Sequence, residues 1–409
     1  VDRYMLDQVT GGRPAAIFSK DQHTIWANSK ALALAGITSR TRDPEGGWIV
    51  RLDRGEPSGL LKELSAYSPL LKLIEQPSPA QAQKLFGRLL KHAYSRGITG
   101  VHSFDRLDAL PFYADLARRG ELGLRVNYYP PSGILGRLSR AKIERDNAND
   151  YFTVSGIKMY ADGALGSQSA FCFSKFIGSK DNYGVEATTK EEILRVMRKA
   201  AGLNLPLAVH AIGDRAIANV LDCFERAPRL ADLARHRIEH LQMIRRKDIA
   251  RLKRLGTVAS MQPSHCPSDV TLVDRYWGKR GRNCFMFRTL LQKGIPLAFG
   301  SDAPTEPLDP LAGIDAAVNR PIPGKRGSFY PEERITVAEA VYGFTAGPAY
   351  AVGREHTRGR LLPGFKADFV LLSDDIFKIS RSEIKKMEVL ATVFDGRPVF
   401  RHHMLTVAL

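Results

Sequence analysis

The stretch LAVHAIGDRAI (207–217) runs from apolar residues straight into His210, then through a glycine to an Asp-Arg pair that opens a helix. A lone buried imidazole is ordinarily held by a backbone carbonyl. His210, however, has company. His102, Lys158 with Asp162, His240, Gln262 with His265, and Asp302 also fall at or near the C-terminal ends of short apolar segments. Taken singly, each has an ordinary structural role. His240 would be another core histidine, Asp302 in AFGSDAP a helix N-cap, and Lys158 in GIKMY the partner of a buried carboxylate. Taken together they are expensive to bury at one end of apolar strands unless they pair or bind a metal. Imidazole nitrogen and carboxylate oxygen suit Zn²⁺ or a related first-row cation.

The elements that must position these groups follow a repeat. Apolar segments at 97–104, 124–130, 154–163, 205–213, 237–242, 257–263 and 295–304 alternate with helical patterns at 188–204, 213–228 and 245–256. TTKEE provides a capping start for the first of these helices. Glycine closes several helices just before the next strand, as in RLKRLGTV and LLQKGIPL. Strand–helix alternation predicts a parallel sheet, and a (β/α)8 TIM barrel is the best fit, with its site on the C-terminal face. Seven of its eight strands are visible, and the gap lies before residue 97. Residues 1–90 read as an inserted lobe and a lead-in helix (79–96). In the lobe, GGRPAAIFSKDQHTIWANSKALALAGI is turn-rich and leads into a helix, and a hairpin surrounds LDRGEP. Residues 91–355 are the barrel. Residues 356–409 form a small β subdomain, an incomplete sandwich.

The chain has 409 residues and a formal net charge of +17. No apolar run reaches the ~18 residues of a membrane span, and VDRYMLDQVTGG has no signal-peptide character. Cys172, Cys223, Cys266 and Cys284 form no CxxC pair and read as reduced thiols of a cytoplasmic protein. The basic clusters at 243–256 and 275–288 lack a nucleic-acid motif, and the first has the apolar spacing of an amphipathic helix. The expected partner is therefore a small-molecule substrate, not nucleic acid or membrane, with a homodimer left open.

Several stretches together resemble the amidohydrolase superfamily, in particular its N-substituted formamide deformylase-like branch. They are DQHTIWANSKALALAGI (21–37), GITGVH (97–102), KMYADGALGSQSA (158–170), AVHAIGDRAI (208–217), RIEHLQ (237–242), GSDAP (300–304), FTAGPAYAVG (344–353) and GRLLPGFKADFVLL (359–372). The resemblance implies a metal-dependent barrel joined to a β-sandwich. It implies His210, His240 and Asp302 as ligands of one or two divalent ions, with zinc expected. Lys158 would be the position that can be carboxylated to bridge two ions. His23 and Trp26 would come from a lobe folded over the substrate. His102, Asp162 and His265, read from their places at the strand ends, are further candidates for the substrate site. The family's first barrel strand carries an HxH motif, and this sequence has none. The strand count and the family pattern thus point to the same gap, and a preceding N-terminal segment is the expectation.

The implied reaction is hydrolysis of an amide or N-formyl C–N bond by water, with Asp302 as general base. A lactone or phosphoester hydrolase on the same barrel is the nearest alternative. A metal-free binding protein or a basic nucleic-acid binder follows.

Overall fold

Residues 16–62 contribute four short strands: β1 (Ala16–Phe18), β2 (Thr24–Ala27), β3 (Trp48–Arg51) and β4 (Pro57–Lys62). They pair antiparallel in the order β1-β2-β4-β3. This is the computed structural model of the chain, and it describes residues 1–140, 143, 149–228, 230 and 234–405. The expected hairpin around LDRGEP is the β3–β4 pair. The turn-rich stretch before it differs from expectation, because it contains β1 and β2 as well as a helix, Ser29–Leu34. Strands of three and four residues are too short to show a clear alternation. The lobe has its own apolar core, with Ile25, Leu32, Ile49, Leu61 and Tyr67 among its members.

A helix at Pro79–Ser95 leads out of the lobe, closed at its start by a Ser78–Gln81 capping box. Eight strands follow: β5 (Gly100–Ser103), β6 (Arg125–Tyr128), β7 (Phe152–Val154), β8 (Ile157–Tyr160), β9 (Leu207–Ala211), β10 (Arg237–His240), β11 (Val258–Met261) and β12 (Leu297–Phe299). Each of the seven apolar segments carries one of them. The additional strand, β7, is separated from β8 by Ser155 and Gly156 alone. A Cβ at Gly156 would come within 2.5 Å of the Tyr129 ring and 2.6 Å of the Pro206 carbonyl, so only glycine lets the chain pass there.

All these strands pair in parallel, as two arcs: β5-β6-β7 and β12-β11-β10-β9-β8. The arcs touch where the Lys158 N–H donates to the Pro130 carbonyl at 2.9 Å. Among the described residues no ladder joins β12 to β5. Amphipathic helices cover the outer faces. The helix Lys190–Ala201 starts at Thr189, whose side chain accepts the Glu192 N–H, as TTKEE predicts. The helix Ile249–Leu255 ends at Gly256, which has the left-handed φ of +61° that favours glycine. One continuous core runs from Phe86 to Met387.

The C-terminal residues form an antiparallel sheet of β13 (Phe369–Leu372), β14 (Val389–Phe394) and β15 (Arg397–Arg401). Buried Arg125, at the start of β6, binds Asp368 at 2.5 Å and Asp395 at 2.9 Å, fastening this sheet to the parallel arcs. All four cysteines are free and buried. Among the described residues, no helix is long and apolar enough to cross a membrane.

Candidate metal centre

Register decides which side chains share a face. Tyr160 and Glu239 both lie level with His210, and Lys158 and Arg237 both lie level with Ala208. With a side-chain period of two, Lys158, Tyr160, His210, Arg237 and Glu239 all point to one side, and Met159, Val209 and Ile238 point to the other. By that alternation His240 belongs with Ile238. The chain turns at that point: φ is +67° at His240 and +44° at Leu241. The His240 ring comes to lie 4.4 Å from the His210 ring, edge on. A left-handed conformation costs a non-glycine residue ~1–3 kcal/mol and persists only where its surroundings impose it. Asp302, beyond the end of β12, has a φ of +59°.

His240, His265 and Asp302 each offer one donor atom, and the three atoms all lie within 4.8 Å of one another. The His265 Nε2–H donates to Asp302 at 3.2 Å. Burial disfavours the Asp302 carboxylate, but the His265 hydrogen bond and the charges of His265 and Lys158 outweigh it, so the group stays below its ordinary range. Burial also opposes a charge on His265, yet Asp302, Asp269 and Glu306 raise its pKa. Burial pushes His210 and His240 well below 6.5, leaving both rings neutral, the form that ligates metal. Two imidazoles and a carboxylate this close fit a divalent cation.

The other expected site residues fall into three groups. His210 borders the cluster, but its Nε2 faces the Gly163 carbonyl at 3.0 Å and Asp162 at 3.6 Å. Lys158 is buried, with Nζ 4.4 Å from the Phe104 ring centre and 4.7 Å from that of Tyr160. Burial lowers its pKa to about 8. His23 lies 5.2 Å from His210, ring to ring, on the lobe side. These three line the same cavity as the cluster, a space of about 2050 Å³. His102 also lines it, but Arg237 donates to its Nδ1 at 2.6 Å, which places the ring proton on Nε2. Asp162 and Trp26 are engaged elsewhere. Asp162 is fully buried and accepts the N–H groups of Phe171, Ile212 and Gly213, so it pins the loop after β8 to the end of β9. The Trp26 Nε1–H donates to the Asp2 carbonyl at 2.9 Å, inside the lobe.

Sequence reasoning missed three charged groups. Arg237 and Glu239, each 1 % exposed, form an ion pair inside the arcs, beneath the cluster. Their i, i+2 spacing in RIEH was the available signal. Glu63, from the lobe, accepts a hydrogen bond from His23 Nδ1 at 2.7 Å. Nothing in LLKELS marks it.

The sequence profile of the amidohydrolase family matches residues 2–400. YtcJ of Bacillus subtilis strain 168, named as an amidohydrolase, is 32% identical over 412 residues, 97% of this chain and 76% of that protein. The N-substituted formamide deformylase of Arthrobacter pascens is 26% identical over 414 residues, 96% of this chain and 74% of that one. The crystal structure of a metal-dependent hydrolase of uncharacterised activity from Pyrococcus horikoshii OT3 superposes with a TM-score of 0.74 at 28% identity. That superposition covers 93% of this chain and 75% of the other. This chain belongs to the amidohydrolase family.

Proposed function

We propose that the protein is a metal-dependent hydrolase of a C–N bond of the amide or N-formyl type. We read the two parallel arcs as parts of one TIM barrel, with the site at its C-terminal rim. The observation that carries the proposal is the convergence of His240, His265 and Asp302, from three separate chain segments, at the strand ends. These three would hold the cation, with His210 and Lys158 on the same rim as further ligands, and zinc suits the donor set. When bound, such a cation lowers the pKa of water from ~15.7 to ~7 and polarises a carbonyl.

The chain's own groups do the rest. Asp302, held ionised, accepts the proton of the attacking water. As the water oxygen bonds to the carbonyl carbon and the C–N bond breaks, Asp302 returns that proton to the departing nitrogen. The products are a carboxylic acid and an amine. The name of the Arthrobacter relative supports an N-formyl substrate.

The test is a panel of N-formyl and N-acyl amines offered to the metal-loaded protein and to Asp302→Asn. We expect wild-type turnover and a fall of at least about 10³-fold in kcat for the variant, with its thermal unfolding little changed. Undiminished turnover by Asp302→Asn would overturn the role of that carboxylate.

A further inference from the structure

Glu63 occupies a conformation and an environment that are both costly for glutamate. Its φ is +68°, in the left-handed region. It is 6 % exposed, and one carboxylate oxygen, Oε1, is buried without a hydrogen-bond partner among the described residues. Strain of this kind, like an unmatched buried acceptor, persists only where the surroundings impose it. The opposite wall is cut away to admit it. A Cβ on Gly163 would stand 2.1 Å from Glu63 Oε1. The other oxygen, Oε2, lies 2.7 Å from His23 Nδ1, and the Glu63 N–H donates to the His23 carbonyl at 2.8 Å.

The turn carrying His23 is held just as firmly. Asp21 accepts the His23 N–H at 3.2 Å, and the Tyr67 hydroxyl donates to the Gln22 carbonyl at 3.0 Å, where φ is +59°. A carboxylate at Nδ1 fixes the ring proton there. Nε2 is then the ring atom left to act, and no hydrogen bond from a described residue reaches it. His23 lines the cavity, at the end of a row of rings that passes through His210 and His240 to His265 and Asp302. A clamp between lobe and barrel would need neither the imidazole nor its second nitrogen open to the cavity.

We infer that Glu63 is a positioning residue that sets the His23 tautomer, so that His23 Nε2 hydrogen-bonds the scissile amide of the substrate from the lobe side. This rests on the hydrolase reading above. Both residues come from the lobe, so the lobe completes the active site as well as covering it.

The test uses the full chain, metal-loaded, with Glu63→Gln, His23→Asn and the double variant. Kinetics on the amide panel are read beside metal content and the ¹⁵N imidazole shifts of histidine-labelled protein. Each single variant should lose about 10- to 100-fold in kcat, with KM and metal content little changed. The double variant should be no worse than His23→Asn, since one residue acts through the other. The wild-type His23 spectrum should show a proton on Nδ1, and Glu63→Gln should lose that preference. N-methylacetamide, added as an unactivated amide probe, should shift the His23 Nε2 signal. If wild type turns over and Glu63→Gln keeps its rate, or the two losses add, the positioning role is overturned while the hydrolase reading stands. If wild type hydrolyses nothing on the panel, the hydrolase reading fails, and the tautomer and probe shifts decide the Glu63–His23 pairing by themselves. A His23 signal indifferent to Glu63→Gln or to the probe would overturn it.

Discussion

At the scale of single residues, the rim is unusual in its backbone as much as in its side chains. Glu63, His240 and Asp302 all have positive φ; histidine and aspartate tolerate such positions better than glutamate does. His210, His240, His265 and Asp302 were legible because each stands at the polar end of an apolar segment, and burying several such groups together demands a common partner. Glu63 was not legible: it falls at the far end of the expected hairpin with nothing in LLKELS to mark it, and its contact with Gly163 spans a hundred residues of chain. That contact makes a prediction. In Gly163→Ala the new Cβ would meet Glu63 Oε1 at 2.1 Å and Ser169 Oγ at 2.2 Å, so the wall must move. We expect a loss of ~1–3 kcal/mol, seen as a lower midpoint in thermal unfolding. An unchanged midpoint would mean that the carboxylate is not seated against this wall.

At the scale of elements, strand–helix alternation was readable because buried parallel strands are near-continuous apolar runs. β9 is buried at all five positions. The lobe sheet was harder to see, since β1 is wholly exposed and only three residues long. The turn that brings His240 to His210 is set by tertiary context, and RIEHLQ does not encode it. Strand starts carry their own titratable group. His236, just before β10, accepts the Leu207 N–H at Nδ1 (3.0 Å) and stacks on Phe224 at 4.6 Å. Burial lowers its pKa from 6.5 to about 4. The unfolded chain therefore takes up this proton from pH 6.5 downward and the folded chain only near pH 4. The stability this group confers is complete above pH 6.5 and is lost as pH falls through that window, by up to about 3 kcal/mol. Denaturant unfolding across pH 4–7 should show a shallower acid slope in His236→Phe than in wild type. Equal slopes would exclude His236 as the titrating group.

At the scale of the whole molecule, the lobe bridges the mouth of the cavity. Lys62 donates to the Ser167 carbonyl at 2.7 Å on the β8–β9 side, and Lys20 reaches Glu306 at 2.6 Å and Ser268 at 3.1 Å on the β11–β12 side. The cavity beneath exceeds the ~300–1,000 Å³ of ordinary ligand pockets. Its span takes in both β5 and β12, which no ladder joins among the described residues. A repeat of apolar segments indicates parallel strands but not how two arcs meet, because that depends on pairing between residues far apart in sequence. The central claim is that side chains from separate strand ends converge on one divalent cation. Its most direct test is metal content per chain after equilibrium dialysis against zinc, for wild type, His240→Ala and His265→Ala. We expect about one tightly held ion per wild-type chain and its loss from both variants, each still folded by circular dichroism. Full zinc content in the two variants, or none in wild type, would contradict the account.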